Sequence, residues 1–152
     1  MIPVIISAAI FTAVLLYSMF RYQRFDSVSA LYYKFPSKHR RLLFWLWFMF
    51  YSTPLLLVAQ SGFLVFAVAG LWYVATAAAY KDSGMTSTVH YSGAVASILF
   101  GMLYIGVTLG EWWPVAMFFA AAFIITYMKP FARTLYVEVV AYYIIVFSLL
   151  MF

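Results

Sequence analysis

Cysteine is absent from the chain, which excludes disulfides, thiolate nucleophiles and cysteine-type zinc sites and leaves the redox compartment open. Charge is nearly as scarce. Charged residues make up 9% of the 152 positions, against about 25% in soluble domains. Acidic residues number four and histidines two, so few side chains remain for acid-base or metal chemistry. P-loop, Rossmann, His-Glu-x-x-His and Gly-x-Ser-x-Gly patterns are missing. A retinal protein needs a lysine within a late apolar stretch, and the last one here has none. Haem ligation across a bilayer wants histidines within the apolar stretches, and only His90 lies near one.

What fills the chain instead is hydrocarbon. Hydrophobic residues make up 68% of it, and they come in runs. Ile2 to Phe20 is uncharged and long enough, at about 1.5 Å per residue, to cross a hydrocarbon core of about 30 Å. No positive residue precedes it and Arg21 and Arg24 follow it, the reverse of a secretory leader, so it is expected to be retained. Further runs cover 42–60, 62–80, 91–110, 112–128 and 134–152. The last carries a single charge, Glu138. The expectation is an all-α, polytopic integral membrane protein: one transmembrane domain over 1–152, six spans forming a helix bundle, with no room for a folded extramembrane domain.

The connections alternate in character. All nine Lys and Arg residues fall between Arg21 and Arg41, between Lys81 and His90, or between Lys129 and Arg133. The Lys/Arg bias of short loops orients a polytopic protein, so these connections are expected on the cytoplasmic side and both termini on the other, in a plasma or bacterial inner membrane. The net charge of +5 then reflects the positive-inside rule, with no folded module to bind nucleic acid. Trp112 and Trp113, like Trp45 and Trp47, suit interfacial belts.

Within the first connection Val28, Leu31, Tyr32 and Phe35 recur at helical spacing, with Asp26 or Ser27 as N-cap and Pro36 closing the run. A short interfacial helix is expected, its apolar face among headgroups and Lys34, Lys38, Arg40 and Arg41 toward anionic phosphates. In the fourth span Gly93, Ser97 and Gly101 recur every four residues, and Gly106 and Gly110 repeat the spacing. Small residues at that interval let helices approach closely in lipid, so this stripe is expected to pack against another span or against a second protomer of a homo-oligomer.

Glu111 reads as a turn residue and His39 as part of a basic run. What remains is Asp26, Asp82, His90 and Glu138, all at the same ends of the expected spans. Burial of an ionised carboxylate such as Glu138 costs several kcal/mol unless it is paired or reaches water. Asp82 and His90 bracket a hydroxyl-rich stretch that fits helix capping, yet Asp82, His90 and Glu138 together are also candidate catalytic residues or ligands of a divalent metal. No cofactor is required by any of these residues.

The run Ser27-Val28-Ser29 followed by Tyr32-Tyr33, Asp82 with Met85-Thr86, and His90 with Gly93-Ala94 resemble a pattern in small multi-pass membrane proteins of bacteria and their phages. They are distantly similar to the Frag1/DRAM/Sfk1-like group of six-span proteins, in which a histidine precedes a small-residue helix. The resemblance implies a six-span fold and draws Ser27, Ser29, Asp82 and His90 into the candidate site.

Three functions compete on the sequence, beside a purely structural or partner-binding subunit that would use the small-residue stripe of the fourth span as its interface. One is a pocket at the cytoplasmic leaflet for a lipid or small ligand, its anionic headgroup recruited by Arg40 and Arg41 with Ser27, Ser29, Tyr32 and Tyr33 beside it and Asp82, His90 and Glu138 as its floor. Another is a metal-dependent membrane hydrolase using the same three residues. The third is an ion or proton channel or transporter subunit centred on Glu138.

Overall fold

A computed structural model describes residues 1–152 except 24, 36–38 and 78–83, and the side chains of 40, 41 and 84–87 lie outside the description as well. Among the described residues there are seven α-helices and no strand. They are α1 (Ile2–Tyr22), α2 (Leu31–Lys34), α3 (Arg40–Leu56), α4 (Gly62–Ala77), α5 (Gly84–Leu103), α6 (Trp112–Met128) and α7 (Arg133–Met151). Helix is what an apolar chain must form where no water can satisfy its amides, because all the backbone bonds then stay within the segment. Three stretches, Ile2–Tyr22, Thr88–Thr108 and Arg133–Met151, are long and apolar enough to cross a membrane. Three shorter apolar helices, Leu42–Leu56, Gly62–Ala77 and Trp112–Met128, accompany them.

Local chemistry sets the ends. α1 opens with a proline in its first turn and closes at Gln23, whose φ of 58° takes the chain out of the helix. α3 carries Pro54 inside its last turn, and beyond it the amides of Leu57, Val58 and Ala59 reach back only three residues, to the carbonyls of Pro54, Leu55 and Leu56. The apolar run expected to 60 therefore ends its α-helix at Leu56 and continues in bonds of the tighter 3₁₀ type, a common form of helix end. α5 begins seven residues ahead of the expected Tyr91, at Gly84: apolarity marks where lipid lies, and the helix runs past it into polar sequence. Its far end loosens into a π-helical turn, Tyr104–Thr108.

The helices pack as a ring. α1 lies on α3, α3 on α4, α4 on α5, α5 on α7, and α7 closes onto α1. α6 stays outside, touching α7 and the π turn. It buries only Pro114, Val115 and Phe118, while Phe123 and Tyr127 are more than 70% exposed. The closest approach is α4 to α5. A methyl group placed on Gly70 would come 2.7 Å from the carbonyl oxygen of Gly93 and 2.7 Å from the amide nitrogen of Ser97. Gly93 thus faces α4, Gly101 faces Ile145 of α7, and Gly106 lies under the Trp112 ring. Gly110, grouped with them on spacing, would put a methyl within 4 Å of nothing; its φ of 75° instead turns the chain at the end of the helical run.

The segment after α1 departs most from expectation. Val28–Ala30 form a single 3₁₀ turn, followed by only four residues of α2. Val28, Leu31 and Tyr32 are buried, and Tyr32 packs edge-on against Phe44 of α3 at 5.7 Å. The apolar face predicted for headgroups is turned into the protein, because four residues of helix make too short a surface to lie on a membrane and Phe44 and α7 offer a fitting apolar wall. Tyr33 alone remains exposed among the two tyrosines, with its ring 5.1 Å from that of Tyr32.

Candidate functional site

Between the helices of the ring lies a partly open cavity of about 70 Å³. Phe11 of α1, Phe48 and Tyr51 of α3, Val68 of α4, Ser97 of α5 and Tyr142 of α7 stand on its walls, with Val28 and Glu138 beside them. At roughly 10–15 Å³ of such space per water, several waters or a small organic group would fit. The remaining lining is aliphatic apart from these aromatic rings, and Glu138 is the one charged side chain on the wall among the described residues.

Glu138 sits in the second turn of α7. Its Oε2 accepts the N–H of Val28 at 2.6 Å. That amide opens the 3₁₀ turn, where no carbonyl of the turn itself can reach it, and a carboxylate makes a charge-assisted acceptor for it. The arrangement is reciprocal: the N–H of Leu135, in the first turn of α7, donates to the carbonyl of Asp26 at 2.9 Å. Each short of a partner within its own helix, the segment and α7 therefore cap one another. Ser27 completes the turn by accepting the Ala30 N–H at 3.2 Å and lies 3.0 Å from the Ser29 hydroxyl. The hydroxyls of Ser27 and Ser29, both buried, are thus engaged in building the turn that carries Val28.

One turn along α7 from Glu138, the hydroxyl of Tyr142 meets Ser7 of α1 at 2.6 Å, and Ser7 donates onward to the Tyr51 carbonyl. Tyr143 pairs with Thr12 at 2.6 Å in the same way. The Phe11 ring lies 4.0 Å from that of Tyr142 and 5.1 Å from that of Tyr51. The result is an aromatic cluster in which the hydroxyls of Tyr142 and Tyr143 are met by Ser7 and Thr12 of α1. These residues were not singled out on the sequence. The available signal was the pair Tyr142-Tyr143 in an apolar run, because buried hydroxyls need partners and few polar groups were there to supply them.

The other candidates fall elsewhere. His90 is buried on α5, with its ring 5.7 Å from that of Tyr91, and it is not on the cavity wall described. Asp82 lies outside the described residues, as do the side chains of Arg40 and Arg41, which open α3. Asp26 contributes its backbone carbonyl. Among the described residues no group of three His, Asp or Glu side chains stands together as a metal site would require. No family model matches the chain, and neither curated proteins nor solved structures give a significant match.

Proposed function

We propose that this chain is a six-span membrane protein that binds a small, largely apolar ligand between its helices. The observation that carries the reading is the cavity at the centre of the helix ring, apolar on most sides and holding the carboxylate of Glu138 at its wall. Ligand sites are commonly apolar concavities with a few placed polar groups, and an ionisable residue inside a membrane bundle marks a functional position more often than a structural one. The three shorter apolar helices complete the six crossings, aided by flanking aromatic residues such as Trp112 and Trp113, both exposed. Metal-dependent hydrolysis has less support, since His90 and Glu138 are not among a set of neighbouring ligands in the described residues.

A neutral fluorinated alkane, trifluorobutane, tests the reading in phosphatidylcholine nanodiscs. The proposal predicts a saturable bound ¹⁹F resonance that disappears in Ala94→Phe, which places a ring in the cavity, and persists in Ala120→Phe on the exposed side of α6. A signal that rises only linearly with probe, equal in empty nanodiscs, would remove the reading.

A further inference from the structure

Polar side chains on the cavity wall are few, and two of them are already engaged: Glu138 accepts the Val28 amide and Tyr142 meets Ser7. Tyr51 and Ser97 differ. They are 1% and 6% exposed and both line the cavity, yet neither hydroxyl makes a hydrogen bond among the described residues. The bond from Ser7 goes to the backbone carbonyl of Tyr51 and leaves its phenol out. A helical serine can return its proton to the carbonyl four residues back, as Ser52 and Ser148 do to Phe48 and Ile144. Ser97 does not. Buried hydroxyls need partners, and helical spacing turns these two toward the cavity: Phe48, Tyr51 and Leu55 share one face of α3, and Ala94, Ser97 and Ile98 one face of α5, all of them on its wall.

Two contacts of α4 set the relative depth of the pair. The Trp72 indole donates to Ser52, next to Tyr51, at 2.9 Å, and Gly70 abuts the Ser97 amide. Residues 70 and 72 differ by about 3 Å of helical rise, so Tyr51 and Ser97 stand at nearly one level of the ring. Between them the walls are hydrocarbon, including Leu64, Val68 and Leu71. Resting on the small-ligand reading above, we infer that the ligand is a small uncharged molecule carrying one hydrogen-bonding oxygen, which Tyr51 and Ser97 bind together while its hydrocarbon lies against these side chains. Each hydroxyl can give one hydrogen bond and accept others, which suits an alcohol and also an oxygen that only accepts. The cavity is partly open, so a chain longer than the space within extends through its mouth.

Three ¹⁹F probes test the pair in phosphatidylcholine nanodiscs, with empty nanodiscs subtracted: trifluorobutane, trifluorobutanol, and the isomeric trifluoropropyl methyl ether, whose oxygen accepts but cannot donate. Affinity relative to the alkane is compared between parent and variant, so that partition into lipid cancels. Tyr51→Phe and Ser97→Ala should each lower the relative affinity of the alcohol by about fivefold, the range of one net hydrogen bond, with alkane affinity kept as the sign of an intact cavity. Tyr73→Phe, on the exposed side of α4, should leave it unchanged. An ether that loses as much as the alcohol assigns an acceptor oxygen of any kind; an ether that loses nothing assigns a hydroxyl. Relative affinity of the alcohol unchanged in either Tyr51→Phe or Ser97→Ala would overturn the inference while leaving the cavity as a ligand site. Absence of saturable binding by all three probes would bring down both this inference and the reading it rests on.

Discussion

Glu138 connects three parts of the molecule through one oxygen: the α7 helix that carries it, the 3₁₀ turn whose first amide it accepts, and the cavity that both it and Val28 line. Its truncation removes a charged acceptor from a partly buried amide, which typically costs about 1–3 kcal/mol. Glu138→Ala is therefore expected to lower stability by about that amount in a reversible detergent unfolding assay, with Glu138→Gln costing less because Gln retains an acceptor. Equal stability of the alanine variant and the parent would show that the bond to Val28 contributes nothing. At Gly70 the mechanism is steric. An alanine methyl would press on the α5 backbone at 2.7 Å, whereas at Gly62 the nearest atom is a flexible Phe66 ring carbon at 3.6 Å. Gly70→Ala should accordingly destabilise the fold by more than 1 kcal/mol, a rough figure for overpacking, and Gly62→Ala should be close to neutral. Matching melting temperatures for the two variants would contradict the close α4–α5 contact.

Among the elements, the segment from Phe25 to Phe35 holds the cavity's Val28 wall in place. Ser27 caps it and Glu138 and Leu135 tie it to α7. Losing the cap in Ser27→Ala should cost about 1 kcal/mol. Hydrogen exchange at the Ala30 amide should rise more than at amides in the middle of α4, which receive no help from Ser27. Protection at Ala30 unchanged by the substitution would show that the cap is dispensable. The sequence announced this segment through the spacing of Val28, Leu31, Tyr32 and Phe35 and through Ser27 as a cap. It did not announce which way the apolar face points. Periodicity defines a face but not its partner, and core and headgroup zone are both apolar enough to receive it. The π turn, Tyr104–Thr108, was equally hidden; the Trp112 ring lies over its Gly106, a contact between residues on opposite sides of a bend. Glu138, by contrast, was conspicuous, since one charge within a long apolar run stands out whatever the fold. The aromatic wall was not, because a chain with 13 tyrosines and 16 phenylalanines gives no reason to favour Phe11, Tyr51 and Tyr142 over the others until the helices are placed side by side.

For the whole molecule, apolar side chains cover the outside as well as the core: Phe20, Leu57 and Phe131 are at least 70% exposed. Such a surface belongs in lipid, where it needs no further partner. The proposed six crossings place the basic connections, and with them the Glu138 end of the cavity, on one side of the bilayer. The absence of cysteine makes this directly measurable, because any thiol introduced is the only one present. Single cysteines at Arg21, Lys129, Ser61 and Glu111, labelled in sealed vesicles with a membrane-impermeant maleimide before and after lysis, report the side on which each connection lies. Six crossings predict that Arg21→Cys and Lys129→Cys behave alike and that Ser61→Cys and Glu111→Cys show the opposite accessibility; Arg21→Cys and Lys129→Cys reacting from opposite sides would contradict the account.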